Sequence, residues 1–130
     1  MKDEALLKAS GAMTGGIGGM ADACGTLLGA TQMLGSISGP GRQDEQGMPK
    51  LGNSIKLAAD FYNWFKEKRG STSCRDIVTE FGNGKFYDFG DPKQAKEAFE
   101  KGVTQKCDQM AADNAARAAE MLWDELHREK

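Results

Sequence analysis

The sequence has no surplus of positive charge: 17 Lys and Arg stand against 19 Asp and Glu, a formal net charge of -2 over 130 residues. Without a basic excess nothing holds a phosphate backbone, which argues against nucleic-acid binding. No apolar run approaches the roughly 18 to 20 residues of a membrane span. The N-terminal MKDEALLKAS is charged and lacks the long apolar core of a signal peptide. The expectation is a cytoplasmic chain whose thiols stay reduced. Histidine occurs once, as His127 near a predicted helix end, so a His-based triad is out of reach. There is no CxxCH, hence no covalent c-type haem. Gly16 to Ala21 formally fits GxGxxA but follows a helix rather than a strand, and no GxxxxGK[ST] occurs; no nucleotide is expected. Cysteine is scarce at three, and three cannot all pair within one chain.

What is abundant is glycine, concentrated where the first cysteine lies. Gly11, Gly15, Gly16, Gly18 and Gly19 crowd the approach to Cys24, after which Leu27, Leu28, Thr31 and Leu34 recur at helical spacing. Glycines this dense serve left-handed backbone angles or close approach of the backbone to another group. Gly18, Gly19 and Gly25 are therefore the candidate cofactor-approach positions. A thiol in the first turn of the following helix sits in the positive field of its N-terminus, which favours the nucleophilic thiolate.

Periodicity predicts an all-α fold over residues 1–130: one compact bundle of five to six helices, with the Gly-rich loop before the second. The first helix is expected over Asp3 to Met13. The second begins near Ala21 or Asp22, Asp22 its cap, and runs to about Ile37, with Gly25, Gly29, Ala30 and Gly35 a smooth strip for close helix approach. Ser38 to Pro49 reads as a polar linker. A long helix from Lys50 to Lys68 carries two stripes: Leu51, Ile55, Ala58, Tyr62 and Phe65, then Leu57, Phe61 and Trp64. Two apolar sides suggest a homo-oligomer burying part of the second stripe. Ser71 to Ser73 cap a short helix bearing Cys74, Ile77, Val78 and Phe81. Phe81 to Gly90 is turn-rich, a hairpin at Asn83-Gly84 being the lesser reading. Asp91-Pro92 starts the next helix. Thr104 caps the last, expected to bury Cys107, Ala111, Ala115, Ala118, Leu122 and Leu126.

Cys24, Cys74 and Cys107 each fall near the start of a predicted helix, on its apolar side. With no local CxxC, any joint site must be assembled by the fold. The ordered run Gly15-Gly16-Ile17-Gly18-Gly19, then Cys24-Gly25-Thr26-Leu27-Leu28-Gly29, then Cys74 and Cys107, resembles the redox-active family named for the cysteine pattern C_GCAxxG_C_C. The resemblance covers the chain from about Leu6 onward. Thr26 stands where that family has alanine, and no cysteine precedes Cys24. What the resemblance implies is thiol redox chemistry, or an iron–sulfur cluster or metal held by Cys24, Cys74 and Cys107. A fourth ligand for such a centre would come from water, another side chain or a partner subunit. Two classes of function follow. One is a redox-active thiol carrier or metal module with Cys24, Cys74 and Cys107 as its working residues and a redox partner protein. The other is a scaffolding helical oligomer with inert buried cysteines.

Overall fold

Six α-helices and no strand make up the described part of the chain, residues 3–45 and 47–128 of a computed structural model. They are α1 (Glu4–Ser10), α2 (Gly25–Ser38), α3 (Gly47–Arg69), α4 (Cys74–Phe81), α5 (Pro92–Glu100) and α6 (Val103–Leu126). The all-α bundle read from periodicity is the fold observed. Among the described residues no helix is long and apolar enough to cross a membrane.

The helix ends follow local chemistry. Asp3 accepts from the Leu6 N–H and caps α1, which stops at Ser10 and continues to Met13 as a 3-10 turn. The second helix begins at Gly25, later than the expected start near Ala21 or Asp22, because Cys24 is drawn into extended pairing with residue 72. Asp22 is thus not its cap. Pro49 lies in the first turn of α3, where its missing N–H removes no helical bond. Ser73 caps α4 by accepting from the Asp76 N–H, and Asp91 caps α5 with Pro92 at its first position. Gly102, in the left-handed region at φ 81°, opens α6, so Thr104 is not a cap. Asn83 and Gly84 turn the chain with positive φ but no hairpin forms.

Two apolar clusters form the interior. The larger lies where α2 packs on α3 and α6, and holds Leu27, Leu34, Leu57, Phe61, Phe65, Met110, Met121 and Leu122. The smaller groups Cys74, Val78, Tyr87, Ala98 and Val103 under the 82–90 loop. Arg69 pairs with Asp113 at 3.1 Å and ties the end of α3 to α6.

Three expectations about helix faces are corrected. Leu57 and Phe61 are covered by this chain's own core, so they are not free for a partner; Leu51, Ile55 and Tyr62 face outward instead. The inward line is Leu57, Phe61 and Phe65, spaced four apart, so it takes members of both expected stripes. On α6 the buried line is Val103, Met110, Asn114, Ala118, Met121 and Leu122, while Ala115 and Leu126 are exposed. Burying two methionines outweighs burying an alanine stripe. On α2, a Cβ added at Gly29 would meet nothing, and one at Gly35 only Ser54 Oγ at 3.8 Å. The glycine strip is therefore not a close helix contact; only Gly25 is crowded, against the Met13 carbonyl.

Candidate functional site

Cys24 and Cys74 are brought together by the backbone. Ala23 and Ser73 form an isolated antiparallel bridge. The Cys24 N–H donates to the Thr72 carbonyl at 2.8 Å, and the Cys74 N–H donates to the Asp22 carbonyl at 2.6 Å. In this pairing Cys24 lies opposite Thr72 and Cys74 opposite Asp22. Cys24 and Cys74 are then diagonal neighbours, for which Cα atoms lie roughly 7–8 Å apart. A disulfide spans about 4.4–6.8 Å between Cα atoms, so closing one requires the backbone at the bridge to move. Both cysteines are buried free thiols, and Cys107 is half-buried.

All three thiols line one cavity of about 330 Å³ at the seam between the two apolar clusters. Met13, Ile77, Val78, Phe89 and Met110 make its apolar wall, and Asp108 is the one charged residue among those lining it. Cys24 is the N-cap residue of α2, Cys74 the first residue of α4, and Cys107 lies in the second turn of α6.

The glycine run closes this seam. Gly15, Gly16, Ile17, Gly18 and Gly19 all have positive φ, between 58° and 77°, giving a left-handed turn. Such a turn costs roughly 1–2 kcal/mol per residue with a Cβ, hence the glycines; Ile17, with an exposed side chain, bears that strain within the run, as does Ala21 at φ 57° just after it. Bonds between residues six apart hold the turn, including the Ala21 N–H to the Gly15 carbonyl at 2.9 Å and the Asp22 N–H to the Gly16 carbonyl at 3.0 Å. Gly15, Gly16 and Gly25 line the cavity, whereas Gly18 and Gly19 are outside it. A Cβ at Gly19 would meet the Gly90 backbone at 3.2 Å, so chain packing accounts for that glycine.

Burial acts on the titration of Cys74 and Cys107. Burial, reinforced by the neighbouring Cys24 and opposed by Arg75, pushes the Cys74 thiol up from 9.0 to about 11. Cys107 is pushed up to about 12 by burial, then by Cys24, Cys74 and Asp108. In the unfolded chain both thiols lose their protons near 9.0. Above that pH the unfolded state binds fewer protons, so stability falls as pH rises. The contribution is whole below about 9 and is lost through about 11 to 12. Urea midpoints measured from pH 8 upward are expected to fall more steeply for the native protein than for a Cys74→Ser/Cys107→Ser variant. Parallel declines would show that these thiols do not carry the effect.

Cys24 has a different setting. Its Sγ is 3.1 Å from Thr26 Oγ1, which in turn accepts from Asn114 Nδ2 at 2.9 Å. Asn114 is 1 % exposed. Neither its role nor that of Gly16 was expected from composition, although an Asn placed four residues from both Met110 and Ala118 on a buried helix line is a legible signal. His127 lies apart, stacked on exposed Trp123 at the end of α6.

Metal–thiolate centres need sulfurs about 2.3 Å from a common point. Among the described residues no group of three or more Cys, His, Asp or Glu is arranged to hold a metal ion. The expected ligand set of Cys24, Cys74 and Cys107 therefore shares a cavity without forming a coordination site: two thiols are diagonal across a bridge and the third comes from another helix.

No curated protein and no solved structure matches this chain. A family model does, over residues 1–121, and its cysteine pattern is the one whose members here converge on a single cavity. The chain belongs to the family described as "Putative redox-active protein (C_GCAxxG_C_C)".

Proposed function

We propose that the protein is a thiol–disulfide redox carrier in which Cys24 is the attacking sulfur and Cys74 the resolving one. The observation that carries this reading is the antiparallel bridge, which sets the two cysteines diagonally across one pairing, both lining one cavity. Cys24 is the choice for attack because it occupies the N-cap position of a 14-residue helix and has a hydroxyl against its sulfur, while Cys74 is held protonated by burial. In the exchange, the Cys24 thiolate attacks a substrate disulfide, forming a mixed disulfide and releasing one substrate thiolate. Cys74 then attacks the Cys24 sulfur, releasing the second thiolate and leaving a Cys24–Cys74 disulfide. The substrate gains two electrons from the protein, and the two protons of the cysteines pass to the two product thiols. A redox partner protein reverses the cycle. Cys107 lines the same cavity as a third thiol.

The test is treatment of the reduced protein with 2-hydroxyethyl disulfide, a small neutral reagent suited to a nearly uncharged cavity. The expected product is a protein two hydrogens lighter whose peptide map links Cys24 to Cys74. A Cys74→Ser variant should instead stop at a mixed disulfide on Cys24. Thiols that react only after unfolding would establish the scaffolding alternative, which the burial of Cys24 and Cys74 favours. Self-association belongs to the same reading, through the outward α3 stripe of Leu51, Ile55 and Tyr62. Sedimentation at the mass of one chain at micromolar concentration would remove it.

A further inference from the structure

A buried asparagine is costly unless it is hydrogen-bonded, and α6 places one between Met110 and Ala118 in the main core. Asn114 makes one side-chain bond, its Nδ2–H donating to Thr26 Oγ1 at 2.9 Å. Its Oδ1 is buried with no partner among the described residues. A leucine here would fill the core without an orphaned oxygen, so core packing does not explain the choice.

The bond has a directional consequence. A threonine hydroxyl has one proton and two lone pairs. With one lone pair taken by the Asn114 amide, the Thr26 proton is free to point elsewhere. The atom at 3.1 Å on its other side is Cys24 Sγ. We infer that Asn114 is a positioning residue that holds the Thr26 hydroxyl so that it donates to the Cys24 sulfur, making Thr26 the group that tunes the reactive thiol. This inference rests on Cys24 being the attacking sulfur.

Several observations converge on it. Thr26 lines the thiol cavity and Asn114 does not, so the asparagine acts through the threonine. The two residues are 88 positions apart, on α2 and α6, so the contact arises from tertiary packing and not from local capping. Its chemical effect is on the reduced state: a donor aimed at sulfur stabilises the electron-rich thiolate and does little for a disulfide sulfur. The Cys24–Cys74 couple is then a stronger oxidant than it would be with alanine at position 26.

The experiment equilibrates the full-length protein at pH 7 with a glutathione redox buffer and quantifies the Cys24–Cys74 disulfide by peptide mass analysis. Thr26→Ala should raise the equilibrium constant for disulfide formation about tenfold, equivalent to about 30 mV. Thr26→Ser, which keeps the hydroxyl, should stay within about twofold of the native protein. Asn114→Leu should move the constant in the same direction as Thr26→Ala, and the double variant should move it no further than Thr26→Ala alone, because the two residues act in series. An unchanged constant in Thr26→Ala overturns the inference while leaving the Cys24–Cys74 exchange intact. Equal, additive shifts from Thr26→Ala and Asn114→Leu overturn the positioning role of Asn114. Failure of the native protein to form the Cys24–Cys74 disulfide would be a different result, and it would remove the exchange reading itself.

Discussion

Gly16→Ala is expected to destabilise the protein by about 2–5 kcal/mol, adding roughly 1–2 for a left-handed residue with a Cβ to 1–3 for overpacking. Gly16 has φ 73°, and a Cβ built there falls 2.6 Å from the Asp22 nitrogen and 2.7 Å from the Cys74 Cβ. Neither neighbour can yield cheaply. Asp22 is fixed by its bond to the Gly16 carbonyl, and Cys74 by its own N–H bond to Asp22. The substitution should therefore shift the urea midpoint and also speed alkylation of Cys74 as the bridge loosens. Gly18→Ala is the control, since Gly18 has φ 58° but open space around its Cα. It should cost only the backbone component, roughly 1–2 kcal/mol. Equal costs for the two variants would mean that the left-handed turn does not press on Cys74.

Cys24→Ser is expected to abolish disulfide exchange almost completely while leaving the fold within about 1 kcal/mol of the native protein. Serine is close in size to cysteine and retains a donor–acceptor group for the Thr26 hydroxyl, so the 3.1 Å contact has a replacement partner. What is lost is the nucleophile: at neutral pH a serine hydroxyl with no adjacent base does not attack sulfur. No histidine lines the cavity to serve as that base. Cys107→Ser should retain most of the exchange, because Cys107 lies outside the 22–24/72–74 bridge and its thiol is held protonated. Rates of 2-hydroxyethyl disulfide consumption by the three single Cys→Ser variants decide the matter. Retention of exchange in Cys24→Ser with loss in Cys107→Ser would invert the assignment and make the glycine run a packing device.

Where a helix starts and which of its faces is buried were legible in the sequence to different degrees. Asp91-Pro92 and Ser73 act through side chains within three residues, so the beginnings of α5 and α4 could be read directly. The start of α2 could not, because Cys24 is pulled into extended pairing by Thr72, a residue 48 positions away. Periodicity identified the apolar stripes of α3 and α6 but not their ranking, since ranking depends on which surfaces the neighbouring helices offer. Phe61 and Met110 went inward on that basis, and Leu51 and Leu126 went out.

The candidate site divides along the same line. The sequence by itself determined the all-α class, the three cysteines, and a glycine run in which all but one residue of the left-handed turn lacks a Cβ. Only the tertiary structure decided that Gly16, rather than Gly18 or Gly19, meets a cysteine, and that Cys24 and Cys74 share a bridge. It also turned Thr26 from a one-hydroxyl departure into a contact joining Asn114 to the Cys24 sulfur. Helical spacing and glycine content act over a few residues and survive in a linear reading. The cavity is made where α2, α4 and α6 meet, and packing between distant segments has no linear signature.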